Sequence, residues 1–119
     1  MFVNLSNHPS AAWSQEQLEA AQAYGQVVDV PFPVVSPLAN EQQLSALVDD
    51  YVGRVTELSP APCVVHVMGE QTFCYGIVSR LTALGYTCVA STTERVVTDL
   101  PDGSKISKFC FVRYRKYGA

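Results

Sequence analysis

Short apolar runs alternate with amphipathic stretches along most of this chain, and that alternation limits its fold more than any single motif. Residues 1–6, 27–30, 63–68 and 86–91 each read as a strand. Trp13-Ser14-x-x-Gln17-Leu18 opens a helix, with Ser14 as N-cap, Gln17 as its capping-box partner and Trp13 stapled on Leu18. Gly25 supplies the left-handed position at its end. Pro31-Phe32-Pro33 stops the second strand, and residues 34–38 form an extended loop. Asn40 caps the clearest helix, in which Leu44, Leu47, Val48, Tyr51, Val52, Val55 and Leu58 share one face until Pro60 and Pro62 end it. A third helix over residues 71–84 closes at Gly85. Residues 96–100 and 106–114 flank Pro101-Asp102-Gly103-Ser104, a hairpin turn signal.

The resulting order, β-α-β-α-β-α-β-β-β, predicts an α/β fold: a single Rossmann-like three-layer domain over residues 1–119, with a mostly parallel sheet, right-handed crossovers and a C-terminal β-hairpin. At least one hairpin strand is expected to run antiparallel at an edge. A chain of 119 residues, 48% of them apolar, is long enough to bury a core and too apolar for disorder. No apolar run reaches the ~18 residues of a membrane span, and no basic-then-apolar signal opens the chain. The expectation is a soluble, cytoplasmic protein with no membrane contact.

The four cysteines, Cys63, Cys74, Cys88 and Cys110, lack metal-ligand spacing and read as buried free thiols in a reducing compartment. With two histidines and no His-x-x-x-His or Cys-x-x-Cys pair, no metal site is expected. The net charge of −3 is unevenly spread: residues 1–94 carry nine acids and two bases, residues 95–119 two acids and six bases. The basic segment reads either as a local anion site or as Lys105, Lys108 and Lys116 guarding an exposed strand edge. A duplex-binding surface does not fit an acidic chain whose bases are confined to its tail.

Polar residues gather where three of the apolar runs end: Ser6-Asn7-His8, Gly69-Glu70-Gln71-Thr72 and Ser91-Thr92-Thr93-Glu94-Arg95. Open α/β sheets bind ligands outside the carboxyl ends of their strands, at the switch in strand order. A 2-1-3 order places the first two clusters side by side. Gly69 would let backbone approach a ligand, and the amides at the start of the third helix would form an anion site. Against this, the Glu70 carboxylate repels a phosphate unless it turns away or takes a ribose hydroxyl, and Thr72 also reads as a plain cap. His8 reads as a general acid or base, or as a loop histidine capping its neighbour. His66, amid Val64, Val65 and Val67, reads as a satisfied core histidine. Arg95 reads as a bidentate phosphate grip helped by Thr92 or Thr93, or as a surface pair with Glu94. Neither a Gly-x-Gly-x-x-Gly loop, a P-loop nor a Gly-x-Ser-x-Gly elbow is present, so nucleotide-cofactor, P-loop and serine-hydrolase chemistry have no motif here.

In this layout the chain resembles the small CRISPR-associated Rossmann-fold (CARF) proteins of the stand-alone ring-nuclease type. Asn4-Leu5-Ser6-Asn7-His8-Pro9 is similar to their Ser/His-bearing loop after the first strand. Val67-Met68-Gly69-Glu70-Gln71-Thr72 resembles their Gly/Thr-bearing loop, although Glu70 departs from its Gly-rich form. The resemblance implies a homodimer whose joined clefts bind a cyclic oligoadenylate second messenger and cut it without metal or other cofactor, switching off type III CRISPR signalling. A ribose 2′-hydroxyl would attack the adjacent phosphodiester and leave a 2′,3′-cyclic phosphate. On that basis His8 and Arg95 are the expected catalytic residues. Ser6, Asn7, Gly69, Glu70, Gln71, Thr72, Thr92 and Thr93 are the expected ligand contacts. The competing expectations are a non-catalytic sensor or sponge for the same ligand, and an interaction subunit that docks a partner through the hairpin.

Overall fold

A computed structural model describes residues 1–118. The elements are β1 (Phe2–Ser6), α1 (Gln15–Gln22), β2 (Val27–Asp29), α2 (Glu41–Leu58), β3 (Val64–Met68), α3 (Gln71–Ala83), β4 (Thr87–Asp99) and β5 (Lys105–Lys116), with a 3₁₀ turn at Ser10–Ala12 ahead of α1. The five strands form one sheet in the order β2-β1-β3-β4-β5. The first four run parallel, and β5 pairs antiparallel with β4. The α/β fold with a mostly parallel sheet and C-terminal hairpin is therefore the one adopted, and β1 and β3 are neighbours as the 2-1-3 order requires.

The helices start where their caps dictate. Asn40 makes the full capping box with Gln43, whereas at α1 only half of the expected box forms, Ser14 accepting the Gln17 amide. Strand periodicity then divides the sheet into two unlike faces. Val3 and Leu5 of β1, Val65 and Val67 of β3 and Cys88 of β4 pack against Val48, Tyr51 and Val55 of α2 and Phe73, Ile77 and Leu81 of α3. Each fully buried Val, Leu, Ile or Phe here contributes roughly 1.5–3 kcal/mol. The opposite face is smaller and mixed. Phe2, Val89 and Tyr114 meet Ala21 and Trp13 there, but Asn4, Ser6 and His66 are also buried. Cys63, Cys74 and Cys88 are buried and all four thiols are free.

The sheet departs from the expected layout in one respect. The expected fourth and fifth strands are one thirteen-residue strand, β4, which passes straight through Ser91-Thr92-Thr93-Glu94-Arg95. That cluster does not leave a strand end. Its threonines favour extended backbone, and β5 pairs with it residue for residue, interrupted only by a bulge between Thr92 and Thr93. Beyond the bulge the two strands continue as a ribbon with no helix over either face, and Val96, Val97, Ile106 and Phe109 stay exposed. The radius of gyration, 16.1 Å, exceeds the roughly 13.5 Å of a compact chain of this length, because the ribbon stands away from the body.

Gly69, at the corner between β3 and α3, has φ +153°, and a Cβ there would come within 2.7 Å of Phe32 Cε1 and Cε2. Phe32 in turn stacks edge-on to Phe73 with ring centroids 5.1 Å apart. Gly69 therefore makes room for Phe32. Gly53, inside α2, has no atom near its Cβ position. Gly69→Ala is expected to cost about 2 kcal/mol, and Gly53→Ala to add about 0.5–1 kcal/mol. Urea unfolding of the two variants measures both, and equal effects would contradict this packing.

Candidate functional site

A wide opening, about 830 Å³, lies at the carboxyl ends of β1 and β3, beside the middle of β4, on the mixed face of the sheet. Its walls include His8 from the loop after β1, Trp13 and Gln17 from the α1 region, Met68 from the end of β3, Ser91 and Thr93 from β4, and Lys108, Phe109 and Phe111 from β5. The bulge, whose extra residue is Val112 of β5, helps to shape it. With the extra residue, Tyr114 stands opposite Ser91 and Phe111 opposite Thr93, which puts both rings on one face, centroids 4.9 Å apart. The cleft combines aromatic surface with hydroxyls, an imidazole and a lysine, a set suited to a ligand with both a ring and a phosphate.

Beneath this cleft runs a buried polar network. Asn4 and His66 are paired across β1 and β3 in register, and His66 Nδ1 is 2.9 Å from Asn4 Oδ1. Asn4 Nδ2 donates to Asp29 Oδ1 and to the His8 carbonyl, both at 3.0 Å. Ser6 Oγ donates to Asn4 Oδ1 at 2.7 Å and accepts the His8 amide at 3.2 Å. On its other side His66 Nε2 reaches Ser91 Oγ at 3.2 Å. Trp13 Nε1 donates to the His8 carbonyl at 3.1 Å, while its ring lies edge-on to His66. These bonds fix the backbone around His8 and leave its side chain exposed in the cleft. Burial, with a smaller push from His8, lowers the His66 pKa from 6.5 to about 4. His66 is thus neutral and satisfied, as read from its strand, but its network ends at a cleft hydroxyl.

The expected site residues are distributed over several surfaces. His8 and Thr93 line the large cleft. Ser6 and Asn7 line a smaller hollow of about 420 Å³ with Asn4, Asp29 and residues 30–33 between β1 and β2. Gly69 and Gln71 border a third hollow with Cys74, Tyr75 and Tyr117, and Glu70 and Thr72 a fourth with Val35, Ser36 and Leu44. The start of α3 is not an open anion site. Glu70 is its N-cap, and its carboxylate accepts from the Thr72 and Phe73 amides and from Thr72 Oγ1. Those bonds, that to Thr72 Oγ1 foremost, hold the Glu70 carboxyl below its ordinary pKa. Thr92 Oγ1 donates to the Arg113 carbonyl within the ladder. Arg95 sits on the ribbon opposite Phe109, with Nε donating to Ser107 Oγ at 2.8 Å, outside the cleft walls.

Asn4, Trp13 and the β5 aromatics were not among the expected site residues, and Ser91 and Lys108 were marked only as members of a polar cluster and a basic segment. An amide inside an otherwise apolar strand, three residues after Met1, was the available signal for Asn4. Facing it with His66 needs the β1–β3 register.

The His66 environment sets a pH dependence. The unfolded chain takes this proton near pH 6.5, the fold only near 4. Between those values the unfolded state binds more protons, so stability falls as pH falls through that window and levels off below it. At 1.36 kcal/mol per unit, going from pH 7.5 to 5 removes roughly 2 kcal/mol through this group. Urea unfolding at both pH values is expected to show that loss in wild type and not in His66→Gln. Identical pH dependence in the two proteins would contradict the buried neutral imidazole.

No helix among the described residues is long and apolar enough to cross a membrane. No curated protein and no solved structure gives a match to the chain. Residues 1–115 match the family described as the Uncharacterized protein MJ1673 family, a match spanning nearly the whole sequence, and the chain belongs to that family.

Proposed function

We propose that the large cleft binds a cyclic oligoadenylate and cuts it by attack of a ribose 2′-hydroxyl on the neighbouring phosphodiester, a metal-independent ring nuclease that ends type III CRISPR signalling. The observation that carries this reading is the cleft itself. At the strand ends where α/β sheets hold ligands, it sets Trp13, Phe109 and Phe111 beside His8, Lys108, Ser91 and Thr93. Aromatic faces stack adenine, Lys108 offers charge to a phosphate, and His8 can pass a proton to the departing 5′-oxygen. Arg95 and the start of α3 have no part in this version.

Two copies per ring suit a two-fold ligand, and the β4–β5 ribbon is the surface proposed to join them. A two-stranded ribbon is marginal in water by itself, yet Phe109 on this one is 68% exposed. The occupant is a second copy of this chain. From Thr93 onward the ribbon and tail carry six bases and three acids against two bases and eight acids on the rest, so the ribbon and tail of one copy complement the other's body. Light scattering is expected to give the mass of two chains for wild type and of one for Phe109→Asp. A wild-type monomer would remove this part of the reading.

A second reading, a sensor or sponge that holds the ring intact, is favoured by Arg95 lying outside the cleft walls, which leaves Lys108 as the cation lining it. Incubation of the protein with cyclic tri-, tetra- and hexa-adenylate in EDTA, followed by liquid chromatography, separates the two. Linear products ending in 2′,3′-cyclic phosphate are expected, with His8→Ala slower by on the order of 100-fold. A raised melting temperature without products supports the sensor, and no response to any ring overturns both.

A further inference from the structure

We infer that Ser91, His66 and Asn4 form the proton relay of the cleft, with Ser91 Oγ taking the proton of the attacking ribose hydroxyl and His66 Nε2 taking the proton of Ser91. The inference deepens the proposed function and rests on it for the identity of the substrate. Its geometry comes from the hydrogen-bond network alone.

The positions of the protons follow from the partners. Asn4 has two acceptors on one side, Asp29 Oδ1 and the His8 carbonyl, each 3.0 Å from its nitrogen. Both require amide hydrogens, so the Asn4 nitrogen faces them and its oxygen faces His66. An amide oxygen only accepts, so His66 Nδ1 must carry the hydrogen that crosses the 2.9 Å gap. In a neutral imidazole the other nitrogen, Nε2, then holds a lone pair, 3.2 Å from Ser91 Oγ. The one hydroxyl hydrogen of Ser91 has two acceptors within reach, His66 Nε2 and Met68 Sδ. The imidazole lone pair is the stronger, since a thioether accepts weakly. With its hydrogen turned inward, Ser91 Oγ presents lone pairs to the cleft it lines.

Asn4, His66 and Ser91 thus stand as orienting group, base and hydroxyl, the arrangement by which enzymes activate an O–H bond. Asp29 holds Asn4, and β1, β3 and β4 hold the three residues in adjacent strands. In the step, the ribose 2′-O–H bond breaks as a bond forms from the 2′-oxygen to phosphorus. That proton passes to Ser91 Oγ while the original Ser91 proton passes to His66 Nε2. The bond from phosphorus to the 5′-oxygen breaks, and the 5′-oxygen leaves with the electron pair and gains a proton from water or from a doubly protonated His8, which solvent then reprotonates. Afterwards His66 returns its proton through Ser91 to solvent, which restores the neutral ring.

The test compares wild type with Ser91→Ala and Ser91→Thr on whichever adenylate ring wild type cuts, together with imidazole ¹⁵N–¹H correlation spectra at pH 7. Ser91→Ala is expected to melt several degrees lower, because His66 Nε2 loses its partner, and to keep ring binding but lose about 100-fold or more in kcat. Ser91→Thr, which keeps the hydroxyl on a strand-favouring side chain, is expected to recover most of that loss. The spectra are expected to show His66 protonated on Nδ1, with an Nε2 resonance that moves in Ser91→Ala. If wild type cuts a ring and Ser91→Ala cuts it as fast, the relay is overturned while the ring-nuclease reading stands. If wild type neither cuts nor binds any ring, the substrate reading falls and the spectra judge the relay. An Nδ1-protonated His66 whose Nε2 resonance responds to Ser91→Ala supports it, and a hydrogen on Nε2 overturns it.

Discussion

The hydrogen bond from His66 Nδ1 to Asn4 Oδ1 ties the two central strands together on their polar face, and the rest of the site is arranged around it. Both residues are about 1% exposed. A buried polar group left without a partner costs about 1–3 kcal/mol, so the register of β1 on β3 that aligns Asn4 with His66 is favoured over any one-residue slip. A slip would turn the side chain of the slipped strand, Asn4 or His66, to the apolar face among Val3, Leu5, Val65 and Val67 and leave the other without its partner. The same bond fixes the Asn4 amide and, through its nitrogen, the His8 carbonyl and Asp29. One pairing therefore specifies strand register, loop course and imidazole tautomer.

Legibility in the sequence follows the range of the forces involved. Elements set by local chemistry were visible: the Asn40 cap, the apolar face of α2, the β-α alternation and the burial of His66 all depend on neighbours within a few residues. Elements set by pairing were not. The Ser91–Arg95 cluster has the composition of a loop, yet β5 holds it as strand over its whole length. Arg95 consequently lies on a ribbon rather than at the sheet edge. Glu70 lies between these two cases. A carboxylate at the start of a helix is a favourable cap, and the same residue that argued against phosphate binding there is the group that closes the helix end.

The two faces of the sheet divide the work of the molecule. Against α2 and α3 it is nearly all hydrocarbon, with Phe73, Ile77, Leu81, Val55 and four strand residues fully enclosed. That face supplies most of the stability and has no polar network to satisfy. The face under α1 is held by fewer apolar groups, because α1 is a short helix with one buried residue, Ala21. Aromatic rings make up the difference: Phe2, Trp13, Tyr114 and His66 lie with centroids 5.0–6.4 Å apart. Such pairs add about 0.5–1.5 kcal/mol each beyond their area, and they keep bulk water from the imidazole.

This division explains why a polar network can persist so close to solvent. An imidazole open to water would titrate near its ordinary value and change charge across the neutral range. Enclosed by Phe2, Trp13 and Tyr114, His66 stays neutral there, and its hydrogen bond toward the cleft is the one to the Ser91 hydroxyl. A short α1 leaves the strand ends uncovered, and the bulge at Thr92 and Thr93 turns Phe111 toward the same side as Tyr114. The features that make this face the weaker half of the core are thus the ones that open a cleft over its most constrained polar groups.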